Sequence, residues 1–299
     1  MLWLIVILSS YFLLAAVHLV DKHILQERIN DSKVYAFYVG ISGIFVLALV
    51  PFGFLSVPKT PDLILALLAG VFNTLAIFAL FVGLKRFETS RIIPAVGALL
   101  PLFTFSFTAV WGGTGLAFSD ILVFCLLLTG AFLITREKGK TFSFKSLQIS
   151  ALAAGLFAVY FILIKFVYLE QPFISGLIWT KIGAVLISLC FLGFKEVRDD
   201  ILHGPKIAQK NNWMVVLPNQ TVGGLAVILQ NWAIALAPLA YLGIINALDG
   251  VKYVFLLIFA VLISKKFPQI LKEGVSMKAI FQKIIAILFI GTGLIILVL

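Results

Sequence analysis

The sequence predicts an all-α polytopic membrane protein, with ten transmembrane helices arranged as two inverted five-helix repeats. Its composition, ten apolar runs and an internal repeat support this prediction. Of the 299 residues, 62% are hydrophobic and only 12% are charged, whereas soluble domains are about 45–50% apolar and about 25% charged. This composition leaves too few polar groups to cover a soluble surface, and its hydrophobicity also excludes an intrinsically disordered chain.

Ten apolar runs, separated by charged or turn-forming residues, have about the 20-residue length that a bilayer-spanning helix needs. None shows the alternating pattern of barrel strands, so all are predicted to be helices. The first run lacks a basic segment before it and is interpreted as a retained helix, not a cleaved signal peptide. The predicted spans are residues 2–20, 34–56, 62–84, 92–111, 119–135, 147–168, 173–194, 213–236, 239–264 and 281–299.

Basic residues in the predicted loops accumulate on one side of the membrane. The odd-numbered loops carry clusters such as 85–86 and 265–266, whereas Lys59 is the one basic residue in the even-numbered loops. By the positive-inside rule the odd-numbered loops are cytoplasmic, which places both termini outside, in a multi-pass protein of the cell (cytoplasmic) membrane. This topology accounts for the net charge of +10. Nucleic acid is excluded as a partner because the basic residues are dispersed.

An internal repeat relates the two halves of the chain. Residues 76–84 align with residues 228–236, and Lys22, at the end of the first span, corresponds to Lys165, at the end of the sixth. With five spans in each half, the second half enters the membrane from the opposite side. Many secondary transporters have this architecture, with the solute site near the midplane. The predicted domains are residues 1–146 and 147–299.

Short motifs recur at the ends of both halves. In the first half they are Gly83-Leu84, Ser90, Pro101 and Gly130, and in the second Ala235-Leu236, residues 247–250 and Gly291 or Gly293. Each half thereby resembles the EamA-like domain of the drug/metabolite transporter superfamily. The usual Gly-Glu after the fourth helix is replaced by Gly112-Gly113 and by Ser264-Lys265. The resemblance implies the fold and a transport function, but it selects no solute, because the superfamily moves amino acids, sugars, sugar phosphates, nucleotide sugars and drugs.

Charges in the middle of a span are costly, so they are the first candidates for a solute site. Lys181 lies near the middle of the seventh span, and Asp249 and Lys252 lie three residues apart on one face of the ninth. Asp249 and Lys252 form either a structural ion pair or part of a cavity. One carboxylate cannot neutralise two lysines, so we expect a solute bearing a carboxylate or phosphate. Lys22 and Lys165, at span ends, are expected to snorkel to the interface.

Polar and aromatic residues extend this candidate site. The amides in the eighth and ninth spans either bind a polar solute or join helices by hydrogen bonds. Aromatic side chains in the seventh and ninth spans either stack on the solute or pack and face lipid. Pro218 in the eighth span predicts a kinked or unwound segment beside a cavity. The predicted substrate-binding residues are Lys181, Asp249, Lys252, Asn231, Gln230, Asn246, Trp179 and Tyr253.

The predicted function is a secondary transporter that moves a small polar metabolite by alternating access. A channel, or a membrane scaffold or receptor that transports nothing, is the alternative. An enzyme is not expected, because the spans carry no zinc box or paired carboxylates near the midplane. The three scattered histidines predict no metal site, and no cofactor is expected. The expected partners are the solute and the lipid bilayer, and a homodimer is compatible with the sequence.

Overall fold

The computed structural model describes residues 2–112, 122, 125–130, 133, 144–204, 207–237, 248–249, 251–256, 258–259, 262 and 277–298. Within these residues the regular structure is helical, without strands. The helices are α1 (Leu2–His23), α2 (Ser32–Ile41), α3 (Thr60–Arg86), α4 (Thr89–Gly112), α5 (Phe144–Glu170), α6 (Phe173–Cys190), α7 (Lys195–Leu202), α8 (Trp213–Leu236) and α9 (Met277–Val298).

Six helical segments are long and apolar enough to cross a membrane. They are Leu2–Arg28, Ser32–Phe52, Thr60–Arg86, Phe144–Glu170, Phe173–Gly193 and Trp213–Leu236, and they match the predicted first, second, third, sixth, seventh and eighth spans. The fourth and tenth correspond to shorter apolar helices, Thr89–Thr104 and Phe281–Gly293. Much of the fifth and ninth lies outside the described residues. The helical multi-pass fold is confirmed, and the count of ten stays a prediction.

Local sequence signals set several helix ends. Asp31 begins α2 by accepting hydrogen bonds from the backbone N–H groups of Lys33 and Val34, which would otherwise lack partners. In the last turn of α3, Lys85 and Arg86 complement the negative end of the helix dipole. Polar residues therefore mark the start of α2 and the end of α3, beside apolar segments.

Two predicted spans differ from expectation in their helical form. The second changes from α2 to a 3₁₀ helix over Ser42–Phe52, where the Ser42 hydroxyl donates a hydrogen bond of 2.6 Å to the Val39 carbonyl. The eighth span, in contrast, keeps one helical form throughout. It stays an α-helix from Trp213 to Leu236 with Pro218 inside, so the unwound alternative is wrong and the kinked one stays a prediction; a proline there removes one backbone hydrogen bond.

Helices from the two halves of the chain pack against one another. Helix α1 lies along α8, α3 contacts both α5 and α6, and α4 lies against α5. A close backbone crossing joins α3 to α6, where a Cβ added to Gly70 would lie 1.9 Å from the Thr180 carbonyl oxygen and one added to Gly183 would lie 2.1 Å from the Leu67 carbonyl oxygen. Paired glycines allow this backbone contact.

The lysines at the ends of α1 and α5 do not snorkel, so that expectation is wrong. Lys22 and Lys165 are buried. Lys22 donates to the Phe87 carbonyl, and Lys165 donates to the Ile234 and Ala237 carbonyls. Each ammonium group is therefore used inside the bundle, at the end of a neighbouring helix.

Candidate functional site

A cavity of about 170 Å³ lies between the helices. Helices α1 to α6 and α8, together with Asp249 and Lys252, supply its lining, so both halves of the chain contribute. Most of the wall is apolar, and the polar side chains interrupt it in small groups such as Asp249 with Lys252 and Asp21 with Asn219. The polar members are His18, Asp21, Ser42, Asn73, Thr74, Tyr160, Lys181, Asn219, Gln220, Gln230, Asp249 and Lys252.

Asp249 and Lys252 form an ion pair and also line the cavity. The Lys252 Nζ atom lies 2.7 Å from Asp249 Oδ1, and the Tyr253 hydroxyl donates a 2.8 Å hydrogen bond to Asp249 Oδ2. Gly97 of α4 is in close contact, since a Cβ there would overlap the Tyr253 hydroxyl at 1.2 Å. Tyr253 supports the pair from behind and is not part of the cavity lining. Asp249 and Lys252 are therefore both an ion pair and part of the cavity wall, so the two alternatives are compatible.

Lys181 faces the same cavity from the middle of α6. Its side-chain stem lies over Gly43, where an added Cβ would be 3.5 Å from Lys181 Cδ, an ordinary van der Waals distance. No carboxylate or hydrogen-bond acceptor from the described part of the chain reaches its ammonium group. An ammonium group can donate three hydrogen bonds, so Lys181, in the cavity wall, has hydrogen-bond donors that no described residue uses.

Asp21 is a second acidic group in the cavity wall, which the sequence placed only at the end of the first span. Its Oδ1 atom accepts hydrogen bonds of 2.6 Å from both the Tyr35 hydroxyl and the Asn219 amide. Gln220 in turn donates to the Tyr35 hydroxyl at 2.8 Å, and Oδ2 lies 3.7 Å from His18 Nδ1. Neutral donors thus hold this carboxylate in one orientation.

The expectation of surplus positive charge is corrected by this position of Asp21. Over the described lining, Asp21 and Asp249 match Lys181 and Lys252 in formal charge. The sequence-based charge balance included Asp249 alone, because Asp21 lies at the end of the first span. The residues around Asp21 do not indicate whether its side chain faces the bundle or the outside. The signal in the sequence is the polar stretch Asn219-Gln220-Thr221 in the eighth span, because Asn219 donates to Asp21 and Gln220 to Tyr35.

The other predicted residues lie in different surroundings. Gln230 lines the cavity. Asn231 instead joins α8 to α5, because its Oδ1 accepts from the Tyr160 and Tyr168 hydroxyls at 2.9 and 3.1 Å. Trp179 donates from Nε1 to the Ser56 carbonyl at 2.9 Å and is not among the lining residues. Asn246 lies outside the described residues.

Metal-binding groups are not assembled in the described ranges, which contain no cluster of three or more His, Cys, Asp or Glu side chains. The described cavity wall carries two carboxylates, two ammonium groups, an imidazole, hydroxyls and amides. These groups can bind a polar solute and orient it between apolar walls.

Comparison with known proteins relates the first part of the chain to a transporter family. The EamA-like transporter family matches residues 1–136, and no curated protein matches the chain. Among 22 matching solved chains, one described as "Crystal structure of protein" covers 96% of this chain and 96% of its own, with a TM-score of 0.55 and 18% identity. That likeness shows a shared fold alone. The chain is an integral multi-pass membrane protein whose residues 1–136 match the EamA-like transporter family of the drug/metabolite transporter superfamily.

Proposed function

We propose that the chain is a secondary transporter that moves a small polar solute through the cavity by alternating access. The observation that carries this proposal is the charged and amide-rich cavity wall supplied by helices from both halves. Charges inside a membrane protein are retained where they serve a solute or ion path. The match of residues 1–136 to a transporter family supports the same conclusion.

The cavity favours a small metabolite as the solute. Its volume of about 170 Å³ is below the roughly 300–1,000 Å³ of pockets for drug-sized ligands. It is slightly larger than an apolar cavity of about 150 Å³ that holds benzene. The polar groups in its wall would replace part of the hydration shell of such a solute, which an apolar cavity could not do.

Alternating access would need one end of the bundle to open while the other stays closed. Polar contacts between the halves hold one end: Lys33 Nζ lies 2.5 Å from Glu196 Oε1, and the Tyr38 hydroxyl donates to Asp200 at 2.5 Å. At the other end, Ser56 contacts Ser175 through a 3.0 Å hydroxyl hydrogen bond. We propose that these two sets of contacts break in turn, within the inverted-repeat topology that places odd-numbered loops in the cytoplasm.

The proposal is tested by reconstituting the purified chain in liposomes and measuring solute counterflow. The panel contains amino acids, organic acids, sugar phosphates and neutral sugars. A carrier gives saturable uptake that a trapped solute accelerates from the opposite side. Flux that never saturates identifies a channel, and absence of flux for the whole panel favours a scaffold or receptor.

A matched pair of glycine variants connects the flux to the cavity. A Cβ added to Gly224 or to Gly155 meets nothing within 4 Å, but only Gly224 lines the cavity. Gly224→Phe should therefore fill the cavity and abolish counterflow, whereas Gly155→Phe should retain it. Equal flux in both variants would place the solute path elsewhere.

A further inference from the structure

Two charged side chains in the cavity wall, Asp21 and Lys181, form no ion pair with an oppositely charged lysine, arginine or carboxylate among the described residues. Lys252 is neutralised by Asp249 at 2.7 Å. Within the described residues, by contrast, Asp21 has no lysine or arginine partner, and Lys181 has no carboxylate partner. Leaving a charge unpaired away from water is costly unless a ligand or water supplies the missing interaction. The cavity therefore offers one negative and one positive anchor to a solute.

The negative anchor is held ready for a cation. Tyr35 and Asn219 both donate to one oxygen of Asp21, at 2.6 Å each. The hydrogen bonds that Asp21 accepts from described residues both end on that first oxygen, and the second oxygen lies 3.7 Å from His18 Nδ1, an ion pair only when the imidazole is protonated. A fixed carboxylate with one unused oxygen is suited to an ammonium group, because it accepts a charge-assisted hydrogen bond without rearranging.

The positive anchor is held at its stem. The aliphatic part of Lys181 lies over the backbone at Gly43, at van der Waals distance from where a Cβ would be. Lys181 thus packs beside the Gly43 backbone and also lines the cavity. The acid group that such an ammonium binds is a carboxylate, sulfonate or phosphate.

The second transmembrane segment provides a scale for the separation of the anchors. Tyr35 holds Asp21, and Gly43 lies under Lys181. These two positions are eight residues apart in one helical segment, which at about 1.5 Å per residue corresponds to roughly 12 Å between their backbones. The long side chains, Tyr35 from α2 and Lys181 from α6, change this separation at the level of the charged groups, but they reach the cavity at different levels of the second segment.

We propose that the cavity binds an elongated zwitterion, with its ammonium group at Asp21 and its acid group at Lys181. The inference rests on the proposed transport function and names the solute class for the same cavity. It adds an ammonium group to the carboxylate- or phosphate-bearing solute that the sequence suggested, because Asp21 also lines the cavity. An anion alone would satisfy Lys181 and leave the Asp21 carboxylate unpaired.

A ligand ladder on the purified full-length chain tests the proposal. The ladder is glycine, γ-aminobutyrate and ε-aminocaproate, and the single-charge controls are butyrate and butylamine. Affinity is measured by titrating the thermal stabilisation of the chain. We expect both longer zwitterions to bind more tightly than glycine, and butyrate and butylamine each to bind on the order of 30-fold more weakly than γ-aminobutyrate. Butyrate binding as well as γ-aminobutyrate, or no member of the ladder binding, would overturn the proposal.

Variants assign the two ends of the solute. Asp21→Asn should lose affinity for γ-aminobutyrate and for butylamine while retaining butyrate binding. Lys181→Met should show the opposite pattern, and Lys59→Met, which changes a lysine remote from the cavity lining, should match the unmodified chain. Unchanged γ-aminobutyrate affinity in both folded variants would contradict the assignment of the two ends. If a variant does not fold, the ligand ladder on the unmodified chain still tests whether the cavity binds a zwitterion.

Counterflow measurements distinguish a failure of the zwitterion site from a failure of the proposed transport function. Zwitterions that bind with the expected pattern but never cross the membrane would contradict transport and uphold the zwitterion site. Saturable counterflow of a neutral sugar or an anion, without zwitterion binding, would uphold transport and contradict the zwitterion site.

Discussion

Lys22 and Lys165 make the same contact in the two halves of the chain. Lys22, at the end of α1, donates to the carbonyl of Phe87, the residue that follows α3. Lys165, near the end of α5, donates at 2.6 Å to the carbonyl of Ala237, the residue that follows α8. In the predicted repeat α1 corresponds to α5, and α3 corresponds to α8. The shared contact supports that correspondence, and it places a positive charge at the negative end of each helix.

Loss of either lysine contact should destabilise the protein. Lys22→Met and Lys165→Met keep most of the side-chain volume but remove the donor from buried carbonyls, so we expect each to lower the free energy of unfolding by about 1–3 kcal/mol. Thermal unfolding in detergent measures the loss. Lys59→Met, at an exposed lysine before α3, is the control and should change little. Stability equal to that of the control in either variant would show that the contact is not structural.

The crossing of α3 and α6 predicts a large difference between two glycines. Gly70→Ala would place a Cβ 1.9 Å from a backbone oxygen, so the helices must separate, at a cost of about 1–3 kcal/mol. Gly155→Ala meets nothing within 4 Å and should be neutral or slightly stabilising, because alanine favours helix. Thermal unfolding of the two variants checks this, and equal stability would contradict the close crossing.

The contact between Lys33 and Glu196 predicts a pH-dependent contribution to stability. The Lys33 ammonium, which donates to Glu196 at 2.5 Å, lowers the pKa of that carboxyl below its ordinary value. A lowered pKa means that the stabilisation is complete above the pKa of the unfolded chain and is lost as pH falls through the lowered value. We therefore expect the unmodified chain to unfold at a higher temperature than Glu196→Gln at neutral pH.

The two unfolding temperatures should converge in acid. Asp199→Asn, a change at a neighbouring exposed carboxylate in α7, is the matched control and should follow the unmodified chain at neutral pH. A difference between Glu196→Gln and the unmodified chain that grows as the pH falls would contradict the assigned direction. The effect should also shrink at high salt, because the pair is exposed.

Two neighbouring amides should have separable roles. Asn231→Ala removes the acceptor of the Tyr160 and Tyr168 hydroxyls, so we expect a loss of about 1–3 kcal/mol in stability. Gln230→Ala, at a position that lines the cavity, should instead weaken solute binding with a smaller change in stability. Unfolding and solute titration on both variants check this, and a stable Asn231→Ala variant with impaired binding would return Asn231 to the solute site.

Hydropathy predicts the apolar spans because the bilayer requires one long apolar helix for each crossing. The spacing of Asp249 and Lys252 likewise predicts that they lie on one helix face, and the structure places them in an ion pair. The position of Asp21 could not be predicted in this way, because its partner Asn219 is 198 residues distant in the chain. Which face of a uniformly apolar helix points inward depends on packing, and residue order alone does not determine it.

The most direct test of the central claim is to block the cavity chemically and measure counterflow. Ser42 lines the cavity, so Ser42→Cys, made in a chain whose Cys125 and Cys190 are replaced by serine, gives maleimide a single target there. The cysteine-free chain treated with the same reagent is the control. The account predicts that labelling Ser42→Cys abolishes solute counterflow while the control remains active. Full counterflow after complete labelling would contradict a solute path through this cavity.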